Sequence, residues 1–235
     1  MIAEHQPASL PADLIVGLSS AADGDMKHAT HNDHAVVMAN RQKFLDQLRI
    51  SLDRTNLIRI DYDSKDFCRY RPADPADNGV SMQSSHNTDP ADALATDQLG
   101  QALFLPIADC CPLVLADARG PAFMLSHLGR HNVVQFGGQK SVEFLAENFD
   151  IKLADIRAWL GPAVGKASYP LFDLGGRSLQ EVIVEQLHAA GLVDSQIEIC
   201  AVDVAEDERY YSHSQFKKGQ RPHDGRFAVV AMRKS

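Results

Sequence analysis

The sequence contains no apolar run that approaches the roughly 18 residues of a transmembrane helix, which excludes a helical membrane-spanning protein. It also lacks a basic stretch followed by an apolar one near its first residues, so we expect no secretory signal. Cysteine is scarce, and the 4 cysteines have no paired spacing, which fits a reducing compartment better than a disulfide framework. Together these absences predict a cytoplasmic protein that does not act at a membrane.

Basic residues are also fewer than acidic residues. The chain carries 23 Lys and Arg residues against 31 Asp and Glu residues, for a formal net charge of -8. A nucleic-acid-binding protein needs a cationic face for the phosphate backbone, so this balance argues against nucleic acid as a partner. A small anionic substrate is compatible with this negative net charge if a few Arg and Lys side chains converge at one site. The length of 235 residues and the 45% hydrophobic content suit one large domain or two small ones. Because the sequence shows no internal repeat and no obvious linker, one domain is predicted over residues 1–235.

Hydrophobic periodicity predicts many short strands and few helices. Strands are expected at Leu14–Leu18, Leu57–Tyr62, Ala102–Ile107, Leu113–Ala116, Pro121–Leu125, Arg157–Leu160, Ile197–Val202 and Phe227–Met232. Helices are expected at Ala35–Ile50, Gln139–Asn148 and Ser178–Ala190, the last with a capping-box spacing of Ser178 and Glu181. Because strands and helices do not alternate strictly, the predicted class is α+β. Residues 72–90 are rich in Pro, Asp, Asn, Ser and Gly, which predicts an exposed, mobile loop.

Two short stretches carry the strongest chemical signal. Cys110 follows the apolar segment Ala102–Ile107, and His127, seventeen positions further on, follows the segment Pro121–Leu125. Because functional residues often lie where a strand gives way to a loop, we expect the thiol and the imidazole to meet at one sheet edge. Such a pair fits either a soft metal ion or a thiol activated by a base, whereas a buried structural cysteine beside an ordinary histidine is the alternative. Strand alternation sends the adjacent Cys111 to the opposite face, where we expect it in the core.

Short motifs along nearly the whole chain form a series. The most specific is Ala-Asp-Cys-x-Pro at residues 108–112. The others are Gly17-Leu18-Ser19-Ser20, Asn40-Arg41, Asp92–Thr96, His127 with Gly129, Gly161–Gly165 followed by Tyr169, Ser212, and Gly225–Ala228. In these motifs and their order the chain resembles the bacterial YfiH-like proteins, also called the laccase-domain or polyphenol-oxidase family.

The resemblance implies an α/β/β/α fold, in which layered mixed sheets are flanked by helices. It also implies a metal site of two His and one Cys, usually assigned to zinc, with copper claimed for some members. The activities attributed to the family are phosphorolysis and deamination of purine nucleosides, phenol oxidation, and editing of peptidoglycan precursors. Zinc with an open coordination position can acidify water or polarise a substrate atom, which is coherent with purine chemistry.

Carried onto this chain, the resemblance assigns each site residue a role. Cys110 and His127 are the expected ligands of zinc, or of copper, and are also the expected catalytic residues. Asp109 is expected to orient a ligand or move a proton. Tyr169 and Arg226 are expected to contact a small, nucleoside-like substrate.

The chain departs from the family at its charged and metal-binding positions. The first family ligand is a His in a Gln-x-His-Gly element, and Ser64 stands at the matching place. A neutral hydroxyl is a poor zinc ligand, so a third ligand must come from elsewhere. The candidates are an oxygen of Asp61 or Asp63, His86 and His131. His131 shares a helical face with His127 if a helix begins there. The Arg residues of the family's Ser-Thr-Arg and Ser-x-Arg-Arg elements are also missing, which weakens phosphate capture.

Three hypotheses for the function follow. The first is a metal-dependent enzyme that acts on purine nucleosides, by phosphorolysis or deamination, or on related small molecules. The second is a catalytically degenerate relative that keeps the fold to bind a ligand or a partner. The third is a metal-free hydrolase in which Cys110 attacks the substrate and His127 acts as the base.

Overall fold

The computed structural model describes residues 5, 7–28, 33–83 and 88–234. The strands are β1 (Leu14–Leu18), β2 (Thr55–Leu57), β3 (Tyr70–Pro72), β4 (Ala93–Thr96), β5 (Ala102–Ile107), β6 (Cys111–Asp117), β7 (Phe123–Leu128), β8 (Ile156–Leu160), β9 (Ile197–Ile199) and β10 (Phe227–Arg233). The α-helices are α1 (His34–Gln47), α2 (Val80–Gln83), α3 (Arg130–Val134), α4 (Gly137–Phe149), α5 (Leu179–Ala189) and α6 (His213–Lys217). None of the helices in these ranges combines the length and the apolar character needed to cross a membrane.

Within the described residues the strands form two mixed sheets. One sheet has the strand order β1-β10-β5-β2, and the other has the order β3-β4-β7-β6-β8-β9. The pairs β2–β5, β3–β4 and β8–β9 are parallel, and the remaining neighbours are antiparallel. This arrangement confirms the α+β class that the sequence predicts.

The two sheets stack face to face between helices. In β5, Leu103 and Leu105 belong to the core cluster shared with the second sheet, whereas Phe104 turns to the other face and packs against Phe44 of α1. This alternation follows from the two-residue period of a strand. Helices α4 and α5 cover the outer face of the second sheet, so the layers run α/β/β/α.

Most of the predicted elements are confirmed, with shifted ends. β7 extends to Leu128, so His127 lies inside the strand rather than in a loop after it. α5 begins after Ser178, whose side chain accepts a hydrogen bond from Glu181 N as the capping box predicts. Trp159 is 1% exposed in the core, because β8 is covered on both faces.

The strand predicted over Leu57–Tyr62 is wrong beyond its first residue. β2 ends at Leu57, and the chain then leaves the sheet. Side-chain hydrogen bonds replace the ladder there, since Asp61 accepts from the Asp63 amide and from the Arg69 guanidinium. Short acidic side chains that bond the nearby backbone compete with regular structure in this way.

The exposed loop predicted over residues 72–90 is also corrected in part. This segment holds a 3₁₀ helix, Pro75–Asp77, and the short helix α2. Ser81 and Met82 of α2 are fully buried, because the Ser81 hydroxyl accepts from Leu57 N and Met82 packs in the cluster around α1. Residues 84–87 lie outside the described residues, and the mobility of the segment stays a prediction.

Candidate functional site

The turn between β5 and β6 carries the chain from the first sheet to the second. Asp109 has a φ of +66°, in the left-handed region, and Cys110 N donates to Ala108 O over 2.8 Å. Asp tolerates this conformation better than most residues because its short side chain bonds locally. Val164 N donates to Asp109 O over 2.8 Å and fixes the turn from outside. The turn therefore presents Cys110 where the two sheets meet.

The Asp109 carboxylate holds helix α6 against this turn. Ser212 Oγ donates to one carboxylate oxygen over 2.6 Å, and Ser214 N donates to the other over 2.6 Å. Ser212 is also the N-cap of α6, where it accepts from Gln215 N. Both carboxylate oxygens thus fix the position of α6 beside the turn, and the expected role of Asp109 in orienting a ligand or moving a proton stays a prediction.

His127 is buried at the inner end of the site. It lies opposite Pro112 of β6, and its backbone N donates to Asp92 O over 2.8 Å. The residue is 3% exposed, and in the described part of the chain its buried Nδ1 has no hydrogen-bond partner. Burial, together with the positive charge of Arg226, lowers the pKa of His127 to about 4. The imidazole is therefore neutral at physiological pH.

The structure brings Cys110 and His127 together beside Gly129. A Cβ atom at Gly129 would lie 2.7 Å from Cys110 Sγ and 3.5 Å from His127 Cε1. Glycine leaves the space that the sulfur occupies, which explains the Gly two residues after the histidine. The facing arrangement expected from the two strand ends is therefore present in the structure.

The surroundings of the Cys110 thiol disfavour its ionisation overall, although the positive charge of Arg226 acts to lower its pKa. Burial, followed by the nearby Asp109 carboxylate, raises its pKa to about 12. A reactive catalytic cysteine needs the opposite environment, one that lowers the thiol pKa. The geometry thus speaks against the hypothesis of a metal-free thiol hydrolase. Cys111 is fully buried in the core, where its Sγ lies 3.8 Å from Gly161 O.

Cys110 and His127 lie on the wall of an open pocket of about 780 Å³, which we call the main pocket. Its apolar and aromatic lining consists of Tyr62, Pro106, Ile107, Val164, Tyr169 and Leu179. Its cationic lining consists of Lys27, Arg130, Lys217, Lys218 and Arg226, against the two carboxylates Asp109 and Asp224. Since the whole chain carries a net charge of -8, this local excess of positive charge is a feature of the pocket and favours an anionic ligand.

A charged network lies on one side of the main pocket. His213 Nδ1 lies 2.8 Å from an Asp224 oxygen, and Arg226 Nη1 donates to the same oxygen over 2.7 Å. Although burial acts to raise it, the pKa of Asp224 is held below its usual value by these two partners. Arg226 and Tyr169 both line the pocket, where the sequence places them as substrate contacts. His213, Lys217 and Lys218 were missed, because the adjacent Ser212 marks a family motif but does not show that α6 lies against the Cys110 turn.

Ser64 does not occupy the place of a metal ligand. Its hydroxyl bonds Asp66 O and Asp66 N over 3.0 Å each in a local turn, away from the main pocket. The residue of this segment that reaches the pocket is Tyr62, whose ring meets the His127 ring edge to face at 6.3 Å. The sequence analysis did not identify Tyr62 as a pocket residue, because it assigned Tyr62 to a predicted strand.

His131 and His86 are the two histidines considered as substitutes for the missing metal ligand. Helix α3 begins after Gly129, so the alternative in which a helix starting at His127 places His127 and His131 on one face does not apply. His131 lines the main pocket, but its ring stacks on Phe67 with the centroids 4.5 Å apart. His86 lies outside the described residues.

The donor atoms do not complete a three-ligand metal site. Across residues 5, 7–28, 33–83 and 88–234, no group of three His, Cys, Asp or Glu side chains could hold a metal ion. Cys110 and His127 are donors of the type that zinc prefers. The nearby Asp92 carboxylate is fully buried and bound by the Arg69 and Asn132 side chains. The described residues therefore do not fit the family's metal centre.

A family model described as "Multi-copper polyphenol oxidoreductase laccase" matches residues 16–174, which is well over half of the chain. The chain belongs to this family. The laccase-family chain is also 26% identical over 150 residues to a purine nucleoside phosphorylase of Corynebacterium glutamicum. That match covers 63% of this chain and 56% of the relative, so this chain spans little more than half of the relative's length.

Solved structures share the fold of this laccase-family chain. YlmD of Geobacillus stearothermophilus has a TM-score of 0.85 and 22% identity, with 95% of this chain and 93% of that chain covered. YfiH of Bacillus licheniformis has a TM-score of 0.83 and 19% identity, with 94% and 93% covered. Identities this low establish the fold alone, and the YfiH-like architecture expected from the sequence motifs is confirmed.

Proposed function

We propose that this protein binds a purine nucleoside in the main pocket and cleaves its N-glycosidic bond by phosphorolysis. The observation that carries the proposal is the lining of the pocket, where two tyrosines and an apolar wall face an excess of Lys and Arg side chains. Such a lining suits a flat heterocycle next to an anionic co-substrate. The similarity to a purine nucleoside phosphorylase supports the same substrate class.

Both the cationic and the aromatic side chains of the main pocket take part in the proposed reaction. A phosphate oxygen attacks C1′ of the ribose, the C1′–N9 bond breaks, and the base leaves with the bonding electron pair and takes up a proton. Cationic side chains hold the phosphate and offset charge in the transition state. Tyr62 and Tyr169 contact the base by stacking. Cys110 and His127, both uncharged at neutral pH, position the nucleoside by hydrogen bonding.

His213 is the residue that we assign to the proton of the leaving base. The Asp224 carboxylate bonds Nδ1, which fixes the tautomer and leaves Nε2 to exchange a proton. Arg226 bonds the same Asp224 oxygen and keeps that carboxylate ionised. A positioned general acid of this kind contributes roughly 10²-fold to 10⁴-fold to a rate.

His213→Gln is therefore expected to lower kcat for inosine phosphorolysis by about 10²-fold, with the KM for inosine changed only a few-fold. The measurement is steady-state kinetics of inosine phosphorolysis, with kcat and KM determined separately for the wild-type protein and the variant. His188→Gln is the matched control, because His188 forms a similar pair with Asp194 at 2.9 Å outside the main pocket. Equal losses in the two variants would contradict the assignment.

Metal removal gives a second prediction. Because the described donor set stops at Cys110 and His127, no step of the proposed reaction passes through a metal. Protein treated with a strong chelator is expected to keep turnover within about twofold, and its metal content is measured in parallel by mass spectrometry. A loss of activity that zinc restores would contradict this mechanism and direct attention to His86 as a ligand.

The decisive test of the function is product analysis. Purified protein is incubated with adenosine, inosine and guanosine, each with and without phosphate. We expect free base and ribose 1-phosphate to form in equal amounts, and only when phosphate is present. Phosphate-independent release of ammonia from adenosine would indicate deamination, and tight binding without any turnover would indicate the catalytically degenerate relative.

A further inference from the structure

A smaller cavity of about 210 Å³ adjoins the main pocket. The two share lining residues, namely Lys27, Tyr62, Pro106 and Arg226. The other lining residues of the smaller cavity are His28, Arg41, Leu57, Ile58, Arg59 and Ile60. Among these described lining residues there is no carboxylate, and we call this space the cationic cavity.

Arg41 is the most deeply buried cation of the cationic cavity. It lies in α1 and is 1% exposed. Its Nε and Nη2 donate to Met26 O and its Nη1 donates to Met82 O, over 2.7 to 2.9 Å, so its partners in the described residues are neutral carbonyls. Burial lowers the pKa of Arg41 to about 10, although the Asp25 carboxylate acts to raise it. A buried cation of this kind is costly unless a negative charge stands near it.

Further ionisable side chains line the cationic cavity beside Arg41. The Arg59 side chain donates from Nε to Thr88 O over 2.9 Å, and within the described residues neither of its Nη atoms has a partner. Burial, followed by the charge of Arg226, lowers the pKa of Lys27. His28 has a buried Nε2 without a partner among the described residues, and burial and the Arg41 charge lower its pKa to about 4. These groups repel further positive charge and attract an anion.

Two carboxylates, Asp25 and Asp224, contact lining residues of the cationic cavity but do not line it themselves. Asp25 accepts from the backbone N atoms of Lys27 and Arg226, and Asp224 accepts from the Arg226 side chain. The four cations of the lining, Lys27, Arg41, Arg59 and Arg226, thus face two carboxylates. Counted over the described residues of the lining and these two carboxylates, the balance is an excess of two positive charges, which matches a dianion.

We propose that the cationic cavity is the subsite for a phosphate dianion, held chiefly by Arg59, Lys27 and Arg41. The proposal rests on the proposed function in one respect, that the ligand of the adjoining main pocket is a purine nucleoside. The phosphate is either free inorganic phosphate or the phosphoryl group of a nucleoside monophosphate, because the same guanidinium and ammonium groups recognise both. The shared residues Lys27 and Arg226 connect this subsite to the main pocket.

The test measures binding of inorganic phosphate directly, by isothermal titration calorimetry. Arg59→Gln is expected to raise the phosphate Kd by about tenfold or more, because it removes charge-assisted hydrogen bonds to the anion. Arg54→Gln is the matched control, since Arg54 also donates to one carbonyl, Leu99 O at 2.9 Å, but lies outside both cavities. Phosphate binding that is absent from the wild-type protein, or that Arg59→Gln leaves unchanged, would overturn the proposal.

A second arm identifies the source of the phosphate. Adenosine 5′-monophosphate is titrated in place of phosphate, and competition between the two is measured. Tighter binding of the monophosphate than of adenosine, lost in Arg59→Gln, assigns the subsite to a nucleotide phosphoryl group. Joint binding of phosphate and adenosine assigns it to the free anion. Unchanged phosphate KM and turnover in Arg59→Gln would overturn the subsite and leave the proposed phosphorolysis standing.

Discussion

Gly129→Ala is expected to lower purine nucleoside turnover by about 10²-fold while the protein stays folded. The added Cβ lies 2.7 Å from Cys110 Sγ, closer than real contacts allow, so the sulfur must move. Gly129 has a φ of -102° and a ψ of -174°, which any residue adopts, so the backbone itself is not strained. A displacement of about 1 Å at a reacting centre can cost this much in rate.

A double-mutant cycle isolates the cause. In a Cys110→Ala background the sulfur is gone, and Gly129→Ala is expected to have little further effect on kcat/KM. Thermal unfolding of all four proteins checks that the fold is retained. If Gly129→Ala costs as much in the Cys110→Ala background as in the wild-type protein, the contact between this glycine and the sulfur is not what matters.

Acidification from pH 7 to pH 5 is expected to lower the free energy of unfolding by about 2 kcal/mol through His127 alone. The folded-state pKa of about 4 lies below the ordinary value of 6.5. At a pH between these two pKa values, His127 is protonated in the unfolded chain and neutral in the folded chain. The contribution of the neutral imidazole is therefore complete above pH 6.5 and is lost as the pH falls toward 4.

Urea unfolding at a series of pH values measures this effect. His127→Gln removes the titrating group, so its unfolding free energy should change less between pH 7 and pH 5 than that of the wild-type protein, by about 2 kcal/mol. His188→Gln serves as the control and should keep the wild-type slope, since its ring is partly exposed to solvent. Parallel slopes for the wild-type protein and His127→Gln would show that the buried imidazole is not the group that titrates.

The fold is readable from the sequence where local signals and tertiary packing agree. The apolar runs of β5, β6 and β7 mark strands that are covered on both faces, and the capping box at Ser178 marks the start of α5. Prediction fails where long-range contacts decide. Helix α2 lies in a polar, loop-like stretch, and its burial depends on a bond between Ser81 and the distant Leu57.

The same distinction applies to the site. Cys110 and His127 could be placed together because Cys110 directly precedes β6 and His127 lies near the end of β7, its antiparallel neighbour. The contact of Asp109 with α6 could not be foreseen, since its partner Ser212 lies 103 positions away. Arg41 reads as an ordinary charged helix residue until the packing of α1 shows it buried beside the Met26 and Met82 carbonyls.

Strand β10 lies between β1 and β5, so residues near the end of the sequence form the middle of the first sheet. During synthesis on the ribosome, β1 and β5 leave the exit tunnel long before their shared neighbour exists. Their unpaired edges stay open to other chains or to chaperones throughout this interval. His213, Asp224 and Arg226 lie in the same stretch as β10, so synthesis of this stretch supplies the missing strand of the first sheet and one side of the main pocket together.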